Sequence, residues 1–358
     1  MPPAPVTHIA RWDLDKTYLR TEFDTLRDLV KTALERADEK RSHPGASAVM
    51  RELQAGGVEI HILSGSPEQM RSRLDAKLRL DGIRYASLTL KPNLQNLLKL
   101  RFRSLRGQLG YKLPALLRMR AHVEPSVREV LVGDDAEADA FIYALYSDLA
   151  AGRVHADVLL ALMQADRCHP DEIAEAMNAV RRLEHTPAVE RILIHLDRQT
   201  PPSDFDPYGG RIVPFYNYFQ AAAVLAEDGL ITPEGLLRVG TDLVLQHRFD
   251  GDALVRSYLD LARRGHVRGT NLDALEAALQ RWPVARQQRA FEIPDSRRGP
   301  TSAGFSSSRI PLPGFDEIHS LGCRIGELRA AIAAAPSREP LRIPDYLTIV
   351  TSHNRRRR

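Results

Sequence analysis

The chain holds only two cysteines in 358 residues, Cys168 and Cys323, and they stand far apart. A disulfide framework and a cysteine-rich zinc site are therefore excluded, and the protein is expected in a reducing interior. Long apolar runs are also missing. No stretch reaches the roughly 18 consecutive apolar residues of a spanning helix, so any membrane contact is expected to be peripheral. The first residues, Met1 to Arg11, lack the apolar run of a signal peptide, and the acids Asp13 and Asp15 come directly after them. A cytoplasmic protein is expected. A strong charge of one sign is absent too: 50 Lys and Arg against 46 Asp and Glu leave a formal charge of +4. How that charge is distributed matters more than its sum.

What is present is ordinary for a soluble globular chain, with 43% hydrophobic and 27% charged residues. The length exceeds what one core usually holds, so more than one domain is expected. Over residues 1–150, short apolar runs alternate with amphipathic stretches. Ile9–Leu14, Val58–Leu63, Tyr85–Leu90 and Val127–Val132 read as strands, interrupted by Arg11, His61 and Glu129. Phe23–Ala37, Ser47–Gln54, Glu68–Leu80 and Leu113–Ala121 read as helices between them. That alternation predicts an α/β domain, a Rossmann-like parallel sheet covered on both faces, with its chemistry beyond the carboxyl ends of the strands. Over residues 151–290 helical periodicity takes over, as in Ile173, Met177, Val180 and Leu183, and an all-α domain is expected. Residues 291–358 turn to Pro, Ser, Gly and Arg, which predicts a mostly disordered tail with one helix at Phe315–Ala335.

Three strand ends carry residue types suited to phosphoryl transfer. The first predicted strand runs into Asp13-Leu14-Asp15-Lys16-Thr17, where the period of two puts both carboxylates on one side. One carboxylate can attack phosphorus; the other can protonate the leaving oxygen and then activate water. The second ends in Ser64-Gly65-Ser66-Pro67 and is expected to enter a helix, whose N-terminus is a ready anion site. Ser66 before Pro67 reads as the helix cap, and Ser64 as the better phosphate ligand. The third, Val130 to Val132, ends in Gly133-Asp134-Asp135, followed by Asp139. Magnesium keeps several waters and needs only one or two such acids beside the nucleophile, while Asp135 could cap the next helix.

This order of motifs resembles the haloacid dehalogenase-like superfamily. The resemblance implies Asp13 as nucleophile and metal ligand, and Asp15 as general acid/base that also binds metal through its main-chain carbonyl. It implies Ser64 as the second-motif hydroxyl, Lys112 as the third-motif lysine with Lys91 and Lys99 as alternatives, and Asp134 and Asp139 at the Mg²⁺ ion. Thr17, Gly65 and Ser66 are expected at the substrate. A closer resemblance is to the phosphatidate phosphatase catalytic domain of actin-patch-associated lipid phosphatases, with D-x-D-D-T, S-x-S-P and G-D-S-G-Q-x-D-P-x-x-Y motifs. Asp13–Thr17 matches except at Lys16, and Ser64–Pro67 matches throughout. Gly133, Asp134, Asp139 and Tyr143 are in register, whereas Asp135, Ala136, Glu137 and Ala140 depart.

Little room exists for a cap between Thr17 and Ser64 or between Pro67 and Lys112, and an open site fits a bulky substrate. Lys91–Lys112 interleaves Lys99, Arg101, Arg103 and Arg106 with leucines and contains no acid, which suits an anionic membrane or simply a solvated helix face. The expected activity is that of a Mg²⁺-dependent phosphatase acting on phosphatidate-like lipids. The alternatives are a phosphatase for proteins or nucleic-acid ends, and a non-catalytic phosphate- or lipid-binding module, against which the intact Asp13/Asp15 pair speaks. His155, His169, His185, His195 and His247 show no metal-ligand spacing and read as scattered histidines. Phe215, Tyr216, Tyr218 and Phe219 read first as core, with a partner groove as the alternative.

Overall fold

The computed structural model describes residues 5–20, 41–91, 105–290, 315–337 and 341–355. The expected helix Phe23–Ala37 and most of the basic stretch after Lys91, including Lys99, lie outside them.

Six strands form one all-parallel sheet: β1 (His8–Trp12), β2 (Glu59–Pro67), β3 (Ser87–Lys91), β4 (Arg128–Asp134), β5 (Val189–His195) and β6 (Ile212–Phe215). Their order is β3-β2-β1-β4-β5-β6. Strand order reverses between β1 and β4, and ligands of such sheets bind beyond the carboxyl ends at that crevice. Helices cover both faces, as the alternation of strands and helices requires. On one face Ala10, Trp12, Val130, Val132, Leu193 and Val213 pack against helices that include Ala46–Ala55, Tyr218–Glu227 and Pro233–His247. On the other, Leu131, Ile192 and Ile194 pack against Leu105–Arg120, Asp139–Ala150 and Pro170–Val180. Successive residues of one strand divide between the two layers, which gives a parallel sheet its apolar runs.

The polar interruptions of the strands are mostly paired within the fold, with Arg11 Nη1 left without a hydrogen-bond partner among the described residues. Arg11 is buried on the central β1, where it donates to Glu129 of β4 from Nε at 3.1 Å and Nη2 at 2.7 Å. Tyr146 adds a hydrogen bond to Glu129 at 2.6 Å, and Arg120 another at 3.4 Å. His61 bonds Ser87 and Glu59, each at 2.8 Å.

Two elements correct the sequence reading. Residues 151–290 are not helical throughout, because β5 and β6 fall inside that region and extend the same sheet. The single helix expected at Phe315–Ala335 is two, Phe315–Cys323 and Ile325–Ala333, and a further one spans Tyr346–Arg355. Ile318, Leu321 and Leu328 are buried in one core layer and Tyr346 and Val350 in the other. Tyr346 also donates to Asp148 Oδ2 at 2.5 Å. No helix of the described residues is long and apolar enough to cross a membrane.

Candidate active site

The carboxyl ends of β1, β2 and β4 meet at the crevice where the strand order reverses. Directly after β1, Asp13 N–H donates to Val132 O at 2.9 Å, which fixes the start of the loop beside β4. Lys16 then takes a left-handed conformation, φ 59°. Aspartate and asparagine tolerate that region better than lysine does, which gives a physical reason for the aspartate of the resembled motif at this place. The turn closes through Lys16 N–H to Leu19 O at 2.9 Å. The chain leaves and returns as a paired stem: Arg20 N–H donates to Arg41 O at 2.9 Å, and His43 N–H to Tyr18 O at 2.8 Å.

Asp13, Asp134, Glu137 and Asp139 each place a carboxylate oxygen within 4.8 Å of the others. Asp13, Asp134 and Asp139 are fully buried. Lys112 stands among them, its Nζ 3.1 Å from Asp13 Oδ1, 2.9 Å from Glu137 Oε2 and 2.6 Å from Asp139 Oδ1. Lys91, the alternative lysine, lies instead over the Tyr111 ring, 5.5 Å from its centroid. Thr17 Oγ1 sits 3.3 Å from both Asp13 Oδ2 and Asp134 Oδ2. Its single proton can serve only one of them at a time. Thr17, expected at the substrate, is fully buried, with its hydroxyl between the two acids.

β4 supplies Asp134, whose Oδ1 accepts from the N–H groups of Ala136 at 2.6 Å and Glu137 at 3.0 Å. That turn swings Glu137 towards Lys112. Gly133 must lack a side chain, because a Cβ there would overlap Asp139 Oδ2. Asp135 does not cap the following helix. It accepts from Arg198 N–H at 2.8 Å and Thr200 N–H at 3.0 Å, and so ties the loop after β5 to β4.

Asp15 lies apart from the four-acid cluster. Its Oδ2 accepts from Ser64 Oγ at 2.9 Å and Ser66 Oγ at 2.8 Å, and its buried Oδ1 has no hydrogen-bond partner among the described residues. The expectation that Ser66 caps a helix is therefore corrected. β2 stays extended through Pro67, a short 3₁₀ turn follows, and the helix begins only at Arg71, so the Ser66 hydroxyl is free to serve Asp15. Ser64 Oγ accepts from Ser66 N–H at 2.9 Å, and the Ser64 carbonyl from Tyr111 OH at 3.0 Å. Gly65 lies between them, half-buried.

Burial pushes Asp13 and Asp134 well above the usual carboxylate range, and Asp139 above it, with neighbouring acids adding to the rise. The Lys112 charge opposes this at all three. Burial alone would lower Lys112, but Asp13, Asp139 and Glu137 outweigh it and hold the ammonium charged. Asp15 is raised by burial and by Glu137, partly offset by its two seryl donors. Among the described residues four carboxylates face one ammonium, so their full ionisation would leave an excess of negative charge. An all-oxygen donor set of that sign fits a hard cation. Sequence reasoning missed Glu137, counting it only as a departure from the resembled motif.

Residues 12–159 match the family model for the catalytic domain of phosphatidate phosphatase APP1. No curated protein and no solved structure matches the chain.

Proposed function

We propose that this member of the phosphatidate phosphatase APP1 catalytic-domain family is a magnesium-dependent phosphomonoesterase that works through an aspartyl phosphate on Asp13, with phosphatidate-like lipids as its substrates. The observation that carries the reading is the approach of Asp13 to Asp134, Glu137 and Asp139 around Lys112, with Asp15 held separately by two seryl hydroxyls.

In this reading an Asp13 carboxylate oxygen attacks phosphorus, and the bond to the leaving alkoxide breaks as that oxygen takes the Asp15 proton. The raised affinity of Asp15 for its proton suits it to the acid role. Asp15, now ionised, takes a proton from water, which attacks the phosphorus of the aspartyl phosphate and releases inorganic phosphate and free Asp13. Lys112 neutralises the nucleophile between turnovers and the phosphoryl oxygens during them. Ser64 and Ser66 hold Asp15 in place, and Ser64 would be the phosphate-binding hydroxyl that the family resemblance implies. Asp13, Asp134, Glu137 and Asp139, with the Asp15 main-chain carbonyl that the family resemblance implies, would hold the magnesium ion. Bound there, the ion supplies positive charge against the phosphoryl oxygens.

The test is phosphate release with Mg²⁺ across phosphatidate vesicles, phosphopeptides, 3′-phosphorylated oligonucleotides and nucleotides. Asp13→Asn should abolish turnover while keeping the fold, and Asp15→Asn should slow leaving-group departure or dephosphorylation. Release from peptides or oligonucleotides without release from vesicles would remove the lipid assignment. Full activity of Asp13→Asn would remove the mechanism.

A further inference from the structure

A second group of metal-ligating side chains lies behind the loop that carries Asp15 and Thr17. His43, His195 and Asp197 each offer a ligand atom within 4.8 Å of the other two. They come from two parts of the chain: His43 ends the paired stem, while His195 ends β5 opposite Asp134 of β4 and Asp197 follows two residues later. Both imidazoles are more than nine-tenths buried, while Asp197 sits at the rim with its side chain 30% exposed.

The two rings are set up as neutral ligands. His195 Nδ1 lies 3.2 Å from the Lys16 carbonyl, and donating there leaves the lone pair on Nε2. Burial pushes His43 down to about 3, so its ring is uncharged at neutral pH. His43 Nε2 is buried without a hydrogen-bond partner among the described residues; the nearest acid, Asp197 Oδ1, stands 3.8 Å away, beyond hydrogen-bond reach. A buried ring nitrogen left in that state costs free energy, and an ion between the three groups would remove the cost.

We propose that His43, His195 and Asp197 form a second metal site, which takes a divalent ion of the zinc class. Two imidazoles and one carboxylate are the donors such ions select, in contrast to the all-carboxylate cluster of the active site. Tetrahedral zinc with bonds of about 2.0–2.1 Å puts neighbouring ligand atoms roughly 3.3 Å apart, so the His43–Asp197 pair must close by about half an ångström. The exposed Asp197 side chain can make that movement. The net charge of ion plus carboxylate is positive and sits beside an acid-rich pocket, which favours binding. Through His195 the ion braces the Lys16 carbonyl, and with it the left-handed turn between Asp15 and Thr17.

Zinc binding by the full-length protein tests this, read by competition against a chromophoric chelator in excess magnesium, with zinc-edge X-ray absorption on the bound form. We expect one equivalent with imidazole scattering. Asp197→Asn should weaken it about tenfold or more, and His43→Gln should reduce it to background. Asp134→Asn should retain it, because the acidic cluster is separate. Absence of bound zinc in the unaltered protein would overturn the proposal. So would affinity unchanged in Asp197→Asn, a rim substitution that leaves the core intact, or binding lost in Asp134→Asn but kept in His43→Gln. None of these readouts depends on phosphatase activity, so the site can fail while the proposed reaction stands.

Discussion

Replacing Lys112 by methionine removes the one ammonium that, among the described residues, faces Asp13, Glu137 and Asp139, and keeps most of the side-chain volume. The carboxylates are then left buried without their counter-charge. Breaking a buried ion pair in this way costs about 3–5 kcal/mol. Large chains shift by about 2 °C per kcal/mol, so Tm should fall by about 6–10 °C in chelator near pH 8. The pH dependence has a definite sign. Asp13, Asp134 and Asp139 bind protons more tightly folded than unfolded. Their protonated forms therefore stabilise the fold fully below the ordinary value of 3.8, and that contribution is lost as pH rises through the elevated folded values. The Lys112→Met deficit should accordingly be wide at pH 8 and narrower at pH 5. Magnesium should narrow it as well if loss of the ammonium lets the variant bind the ion more tightly, by about 1.4 kcal/mol for each tenfold difference in Kd. Differential scanning fluorimetry at both pH values, with and without magnesium, measures all of this. A variant that melts within about 2 °C of the parent in chelator at pH 8 would refute the electrostatic reasoning.

Other outcomes rest on single contacts. Gly133→Ala forces a Cβ into Asp139 Oδ2 and should cost about 1–3 kcal/mol, with phosphate release falling in parallel; a thermal melt beside an activity assay checks it. Glu129→Gln leaves Arg11 and Arg120 without their carboxylate and should cost about 3–5 kcal/mol at neutral pH. Burial pushes Glu129 up, yet Arg11 and its hydrogen bonds hold it below 4.5. Its contribution is thus present above 4.5 and disappears as pH falls through the lower folded value, so melts taken down to pH 3 should show the variant and parent converging. Tyr346→Phe removes a hydrogen bond to the Asp148 carboxylate and should lower Tm by about 3–6 °C, as seen by circular dichroism.

The strand ends bearing Asp13, Ser64 and Asp134 are legible in the sequence because a parallel sheet confines such residues to one edge, and Lys112 because it precedes β4 by one helix. β5 is not, since Val189–His195 opens with Glu190 and Arg191 and leaves only a short apolar run that also fits a helix. β6 is four residues with Pro214 inside, a combination that argues against a strand except at a sheet edge, which is where it lies. Ser66 misleads because a serine before proline looks the same whether it caps a helix or ends a strand. His43 and His195 are separated by most of the sheet, so no spacing could reveal their contact.

The paired stem ties Tyr18–Arg20 to Arg41–His43 and so fixes two points between which the chain can be lengthened. With those two points already held together, doubling the length of chain between them adds only about 0.6 kcal/mol of closure entropy. Added length between Arg20 and Arg41 should therefore cost little stability and leave the buried carboxylates of Asp13, Asp134 and Asp139 undisturbed.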